Sequence, residues 1–178
     1  MKRVLRYLAG TQGYVMRLTV DDTMDLRCAA DAAWAAGPDR KSVTGGVVRY
    51  GGLLLGSFSK TQVSIAQSTC EAELVAINAV ACELTGLKSL CEELGLKPKT
   101  TLESDSSSAV ALTSRVGPGR LRHIETRKLW LQQQVEKKVM TIVHVSGEQN
   151  VADLLTKALP GPRHRWLTQQ LGLVVEGT

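Results

Sequence analysis

A chain of 178 residues with 43% hydrophobic content is long enough to bury one core of ordinary domain size, and no apolar run approaches the roughly 20 residues of a membrane span or a secretory signal block, so an intracellular protein with no membrane partner is expected. Cys28, Cys70, Cys82 and Cys91 form no C-x-x-C pair, which argues against a zinc cluster or disulfide framework and for reduced, buried thiols. The formal net charge of +5 is concentrated in one stretch, where Arg115, Arg120, Arg122, Arg127, Lys128, Lys137 and Lys138 face only Glu125 and Glu136. A basic segment of this kind suits a chain that tracks a phosphate backbone, although a solubilising helix face would give a similar composition.

Met1 to Gly10 reads as a short amphipathic helix on the outside of the protein, and Asp21-Asp22 marks a turn before the first strand. Leu26 to Trp34 is a strand that carries Asp31. Val43 to Tyr50 follows, and Gly51-Gly52 turns it back into Leu53 to Ser59, so three antiparallel strands come first. Ser68 and Glu71 form a capping box at the start of the longest helix, with Leu74, Ile77, Ala81, Leu84, Cys91 and Leu94 at helical spacing. That helix stops near Gly95. Thr100 to Asp105 is a strand, Ser106 to Ser114 a small helix, Leu121 to Lys137 a basic helix, and Val139 to Val145 another strand. The strand, helix, strand order implies parallel pairing. Asn150 caps a further helix through Leu159, Pro160-Gly161-Pro162 ends it, and Arg163 to Val175 holds one more short helix.

The class is therefore α/β, a mixed five-stranded sheet flanked by helices around one core. In open α/β sheets, sites collect beside the carboxyl ends of parallel strands. Asp31 within the first strand, Glu73 near the start of the long helix, Asp105 at the end of the fourth strand and Asp153 at the start of the late helix can meet there. Four carboxylates brought together without a counter-charge would cost several kcal/mol or force one to neutralise, so the cluster implies a divalent cation. Oxygen-only ligands favour magnesium or manganese. Glu71 and Glu73 also suit the positive end of the helix dipole without any further role.

Asp31 with Trp34, Lys41-Ser42, Ser68-Thr69 with Glu71-Ala72-Glu73, Asp105 with Ser108-Ala109, His123-Ile124, and Ala152-Asp153 with Thr156-Lys157 together resemble the ribonuclease H domain of copia-type retrotransposon Pol polyproteins. The likeness runs from Arg6-Tyr7-Leu8 to Leu171-Gly172-Leu173. It implies a ribonuclease H-like sheet, three antiparallel strands followed by two parallel ones, and a division into a connecting segment with a short N-terminal helix (1–25), the ribonuclease H-like domain (26–159) and a C-terminal tail (160–178). It also implies that Asp31, Glu73, Asp105 and Asp153 are the catalytic, metal-binding acids, with Glu73 rather than Glu71 because the family's glutamate precedes the hydrophobic position matched by Leu74. Three positions depart from the family pattern: Ala33 replaces a second aspartate, Cys70 a serine or threonine, and Leu129 a second histidine.

The resemblance implies an endonuclease that hydrolyses the RNA strand of RNA–DNA hybrids during reverse transcription and leaves 5′-phosphate and 3′-hydroxyl ends. Two Mg2+ ions, or Mn2+ in their place, roughly 4 Å apart, would hold the scissile phosphate. Asp31 would bridge both, Glu73 and Asp105 would hold the leaving-group side, and Asp153 would complete the nucleophile side. Arg120, Arg122, His123, Arg127 and Lys128 are the expected nucleic-acid contacts, and shape and 2′-hydroxyls rather than base sequence would select the hybrid. A lone histidine in a basic helix such as His123 is more often a surface or capping residue than a catalyst, and His144 and His164 have weaker claims. Trp34 reads as buried in the site wall rather than stacked on nucleic acid. The expected partners are the hybrid and the reverse transcriptase portion of the same polyprotein, in cytoplasmic virus-like particles or the nucleus. A decayed, non-catalytic hybrid-binding or tethering domain is the alternative. An integrase core is a third reading, disfavoured by the late Ala152-Asp153-Thr156-Lys157 block.

Overall fold

Side chains of a strand point alternately to the two faces of its sheet, and along Leu26–Ala33 this alternation separates two layers of packing. Leu26, Cys28 and Ala30 join one core with Leu74, Ile77, Val80 and Leu84, whereas Ala29 joins another with Val47, Val151, Ala152, Leu167 and Leu171. Asp31, two residues beyond Ala29, therefore faces the second layer. The computed structural model describes residues 2–19, 21–114 and 125–175.

In chain order the elements are α1 (Lys2–Gly10), β1 (Tyr14–Met16), β2 (Leu26–Ala33), β3 (Val43–Tyr50), β4 (Leu53–Thr61), α2 (Thr69–Glu93), β5 (Thr100–Ser104), α3 (Ser107–Ser114), α4 (Glu125–Glu136), β6 (Thr141–His144), a 3-10 helix (Val151–Leu155), α5 (Gly161–Gln170) and β7 (Leu173–Val175). The main sheet has the order β4-β3-β2-β5-β6. Strands β2 to β4 are antiparallel neighbours, while β5 runs parallel to β2 and β6 parallel to β5. This is the mixed sheet expected from the sequence. The carboxyl ends of β2, β5 and β6 consequently lie at one edge, where loops and helix starts can meet.

Helix α2 begins at the expected cap. The Ser68 hydroxyl accepts from the Glu71 backbone N–H at 3.2 Å, and the Glu71 carboxylate accepts from Gln67 N–H at 2.7 Å. Glu71 is thus consumed by the helix start. At the other end Gly95, in the left-handed region at φ 79°, lets the chain turn, with Leu96 N–H donating to Cys91 O at 2.8 Å. By length and composition alone α2 is apolar enough to cross a membrane, which corrects the expectation that no stretch approaches a span. Here it lies against the sheet and buries Leu74, Ile77, Val80, Ala81 and Leu84.

The second layer is thinner and approaches the sheet more closely. Strand pairing sets Gly45 opposite Asp31. A Cβ on Gly45 would lie 2.7 Å from Thr156 Cγ2 and 3.0 Å from the Ala152 carbonyl oxygen. Only glycine admits the 3-10 helix at that distance. On the adjacent residue, Gly46, a Cβ would overlap the Phe58 ring.

Several expectations need correction. The helix after Asn150 is a five-residue 3-10 helix that ends at Leu155, not at Leu159, where Asn150 and the close sheet contact hold the chain. The tail carries α5 followed by β7, which pairs antiparallel with β1. Neither strand was foreseen, since three residues are too few for a visible alternation. Cys82 is exposed on the outer side of α2, while Cys28 is buried and its thiol is pushed up to about 12 by desolvation. Trp34 is 47% exposed, against the expected burial, although its indole N–H donates inward to the carbonyl of buried Ala66 at 3.0 Å.

The close approach at Gly45 predicts that Gly45→Ala lowers stability by about 1–3 kcal/mol in urea denaturation, as over-packing does elsewhere. Gly56→Ala on β4, where a Cβ would meet nothing within 4 Å, should leave the midpoint nearly unchanged. Equal effects of the two substitutions would refute the packing account.

Candidate active site

Three carboxylates meet where the sheet edge and the 3-10 helix come together. One oxygen from each of Asp31, Asp105 and Asp153 lies within 4.8 Å of the others. Asp31 is fully buried on β2, Asp105 follows the last residue of β5, and Asp153 lies on the buried side of the 3-10 helix.

Each acid is fixed by its own backbone device. Asn150, fully buried, accepts from Ala152 N–H at 3.1 Å and donates to Ala30 O at 3.0 Å, which ties the Asp153 turn to the strand residue next to Asp31. His144 Nε2–H donates to the Asp105 carbonyl at 3.1 Å, and Gly147 lies so near that a Cβ there would be 3.2 Å from Asp105 Oδ2. Thr156 donates its hydroxyl hydrogen bond to Asp31 Oδ2. These positioning residues fall outside the expected acid set. Asn150 was visible in the sequence only as a helix cap, and the partnership of Thr156 depends on tertiary contact with no local signal.

Two cations border the cluster. Lys157 Nζ lies 2.6 Å from Asp153 Oδ1 and 3.2 Å from Asp31 Oδ1. Arg163 approaches Asp153 Oδ2 at 3.6 Å, donates to the Gly147 and Glu148 carbonyls and stacks over Trp166 at 4.9 Å. The spacing of four between Asp153 and Lys157 on one helical turn is the sequence signal for the first of these pairs.

Glu73 lies outside the three-acid set but within its field. Burial, followed by the charges of Asp31 and Asp105, pushes its carboxyl up to about 8, against the weaker pull of the Ala32 N–H and Lys157. Its Oε2 is buried with no hydrogen-bond partner among the described residues. Asp31 is also raised, by desolvation, with the Thr156 hydrogen bond and the Lys157 charge opposing. For Lys157, burial disfavours the charged form, but the hydrogen bond to Asp153 and the charges of both aspartates outweigh it and raise the ammonium pKa.

The donor set fits a hard divalent cation. It is all oxygen, it is rich in carboxylates, and beside it lies the Glu73 carboxylate oxygen that no group among the described residues satisfies. Asp31, Asp105 and Asp153 are placed to hold such an ion directly, with Glu73 at their side. Of the expected nucleic-acid contacts, Arg120, Arg122 and His123 lie outside the described residues, as do the side chains of Arg127 and Lys128 in the first turn of α4. His164 packs edge-on against Tyr7 at 5.7 Å and has no part in the cluster.

No family model matches the chain. It is 33% identical over 176 residues to the retrovirus-related Pol polyprotein from transposon TNT 1-94 of Nicotiana tabacum, an alignment that covers 97% of this chain and 13% of that polyprotein. It is 32% identical over 178 residues to the retrovirus-related Pol polyprotein from transposon RE2 of Arabidopsis thaliana, covering 98% of this chain and 12% of the other. The chain thus spans about an eighth of the length of the polyproteins it matches. Among solved structures, LC11-RNase H1, found in compost by a metagenomic approach, superposes with a TM-score of 0.57 at 18% identity, covering 75% of this chain and 93% of that one. The same protein in complex with an RNA/DNA hybrid gives a TM-score of 0.55, covering 74% and 94%.

The raised Glu73 carboxyl makes a pH prediction for the metal-free protein. Unfolded, the group ionises near its ordinary 4.5; folded, it holds its proton to about 8. Between those values the native state binds more protons than the unfolded state, so stability falls as pH rises and levels off above about 8. Denaturation in chelator across this range should show a fall of less than the ~1.4 kcal/mol per pH unit that one fully titrating group supplies, shallower in Glu73→Gln. The same slope in both proteins would remove Glu73 from the coupled cluster.

Proposed function

The chain is a homologue of the retrovirus-related Pol polyproteins of copia-type transposons and has the ribonuclease H fold, and from that premise we propose that it is a metal-dependent endonuclease acting on the RNA strand of RNA–DNA hybrids during reverse transcription. The observation that carries this reading is the convergence of Asp31, Asp105 and Asp153 within 4.8 Å, beside a Glu73 whose buried Oε2 has no partner among the described residues.

In this reading Asp31, Glu73, Asp105 and Asp153 hold Mg2+ or Mn2+. Bound divalent ions supply activation of water and neutralisation of charge at the scissile phosphate, which gives 5′-phosphate and 3′-hydroxyl ends. Thr156 holds one Asp31 oxygen in place, and the other accepts from Lys157. Arg163, pinned by two carbonyls, keeps Asp153 oriented without needing to move. Glu73 must give up its proton before it can act as a ligand, which couples metal affinity to pH.

Hybrid binding is assigned to the basic stretch, with Arg120, Arg122, His123, Arg127 and Lys128 facing phosphates, and selection of RNA to its 2′-hydroxyls. The half-exposed Trp34, three residues beyond Asp31, adds an aromatic surface next to the acids. Residues 26–159 form the proposed nuclease domain, 1–25 the connection to the reverse transcriptase portion of the same polyprotein, and 160–178 the tail. The setting is the cytoplasmic virus-like particle, with a nuclear phase as the other location. One observation favours the alternative of a non-catalytic hybrid-binding domain: Lys157 already neutralises part of the acid cluster.

The full chain with magnesium should cut the RNA strand of an end-labelled hybrid and leave duplex DNA intact. Asp31→Asn or Asp105→Asn should abolish cutting, a larger loss than the roughly 10–100-fold caused by removing an outer partner of a metal ligand. Hybrid retained on the protein but never cut, with either metal, would select the non-catalytic reading.

A further inference from the structure

Two cations touch the acid cluster, and they are held in different ways. Arg163 is anchored from outside the cluster by the Gly147 and Glu148 carbonyls and by the Trp166 ring. Lys157 has no such anchor among the described residues. Its ammonium is held by Asp31 and Asp153, at 3.2 and 2.6 Å, and 43% of its side chain is open to solvent. The four-carbon stem of lysine is flexible, and its head is a compact point charge that rehydrates readily. It therefore sits on one oxygen of each of two of the three acids that would hold a divalent ion.

We propose that Lys157 is an exchangeable counter-ion of the acid cluster, which bridges Asp31 and Asp153 when no metal is present and is displaced from them when a divalent ion binds. This rests on the proposed metal site and adds a competitor built into it. An ammonium and a divalent cation cannot both take the Oδ1 atoms of Asp31 and Asp153 at bonding distance, so metal affinity is set against the Lys157 ion pairs. The arrangement keeps the carboxylates from repelling one another in the metal-free protein, and it ties cation binding to movement of one identifiable side chain.

Manganese binding by the wild-type chain and by Lys157→Met, followed by electron paramagnetic resonance of the free ion, tests the competition. The variant should bind at least about fivefold more tightly, the lower end of ordinary coupling between two binding events. A second measurement needs no variant: with limiting acetic anhydride and mass spectrometry, Lys157 of the wild type should be acetylated slowly in chelator. On adding magnesium its rate should rise toward that of an exposed lysine such as Lys97. Manganese bound equally by both proteins, with Lys157 labelling unchanged by metal, would overturn this inference and leave the metal site standing. Binding by the variant alone would support competition in its strongest form. Failure of both proteins to bind manganese would overturn the inference together with the metal-dependent function.

Discussion

Mutual repulsion among carboxylates is the constraint around which the protein is arranged. Oxygens of Asp31, Asp105 and Asp153 lie within 4.8 Å of one another, and Glu73 adds a fourth acid inside the same poorly solvated region. Such a group persists only if protons or cations offset the charge. Both devices are present: Glu73 retains its proton to about 8, and Lys157 bridges two of the aspartates. A divalent ion held by the same acids, as proposed above, would compete with both.

Holding the acids in register requires rigidity on both faces of the sheet. On one face α2 buries a continuous apolar stripe and delivers Glu73 close to its capped start. On the other, the 3-10 helix reaches the sheet through the gap left by Gly45, and Asn150 bonds it to Ala30. The side-chain alternation of β2 sends Ala30 to the first layer and Asp31 to the second, so one strand serves the main core and the site at adjacent positions.

Much of this was legible in the sequence because the signals were local. The Ser68 and Glu71 cap, the helical spacing from Leu74 to Leu84, the Gly51-Gly52 turn and the strand and helix order are all short-range patterns, and the sheet follows from them. The four acids could be singled out as residues of the right kind near strand ends and helix starts. Their supports could not, since Thr156 to Asp31 and Asn150 to Ala30 span more than a hundred residues of chain and depend on register. The same limit explains β1 and β7, which exist only because they pair with each other. The bulk of Trp34 argues for burial, whereas in the fold 47% of it is exposed while its indole N–H is tied to buried Ala66.

The central claim is that the converging acids form a cation site, not a set of structural hydrogen-bond acceptors. Thermal melts of the wild type, Asp31→Asn and Asp105→Asn, in chelator and in magnesium, test it most directly. A ligand that binds only the folded state raises the melting temperature by mass action. Magnesium should therefore raise that of the wild type and have little effect on either variant. No magnesium shift in the wild type, or the same shift in all three proteins, would contradict the account.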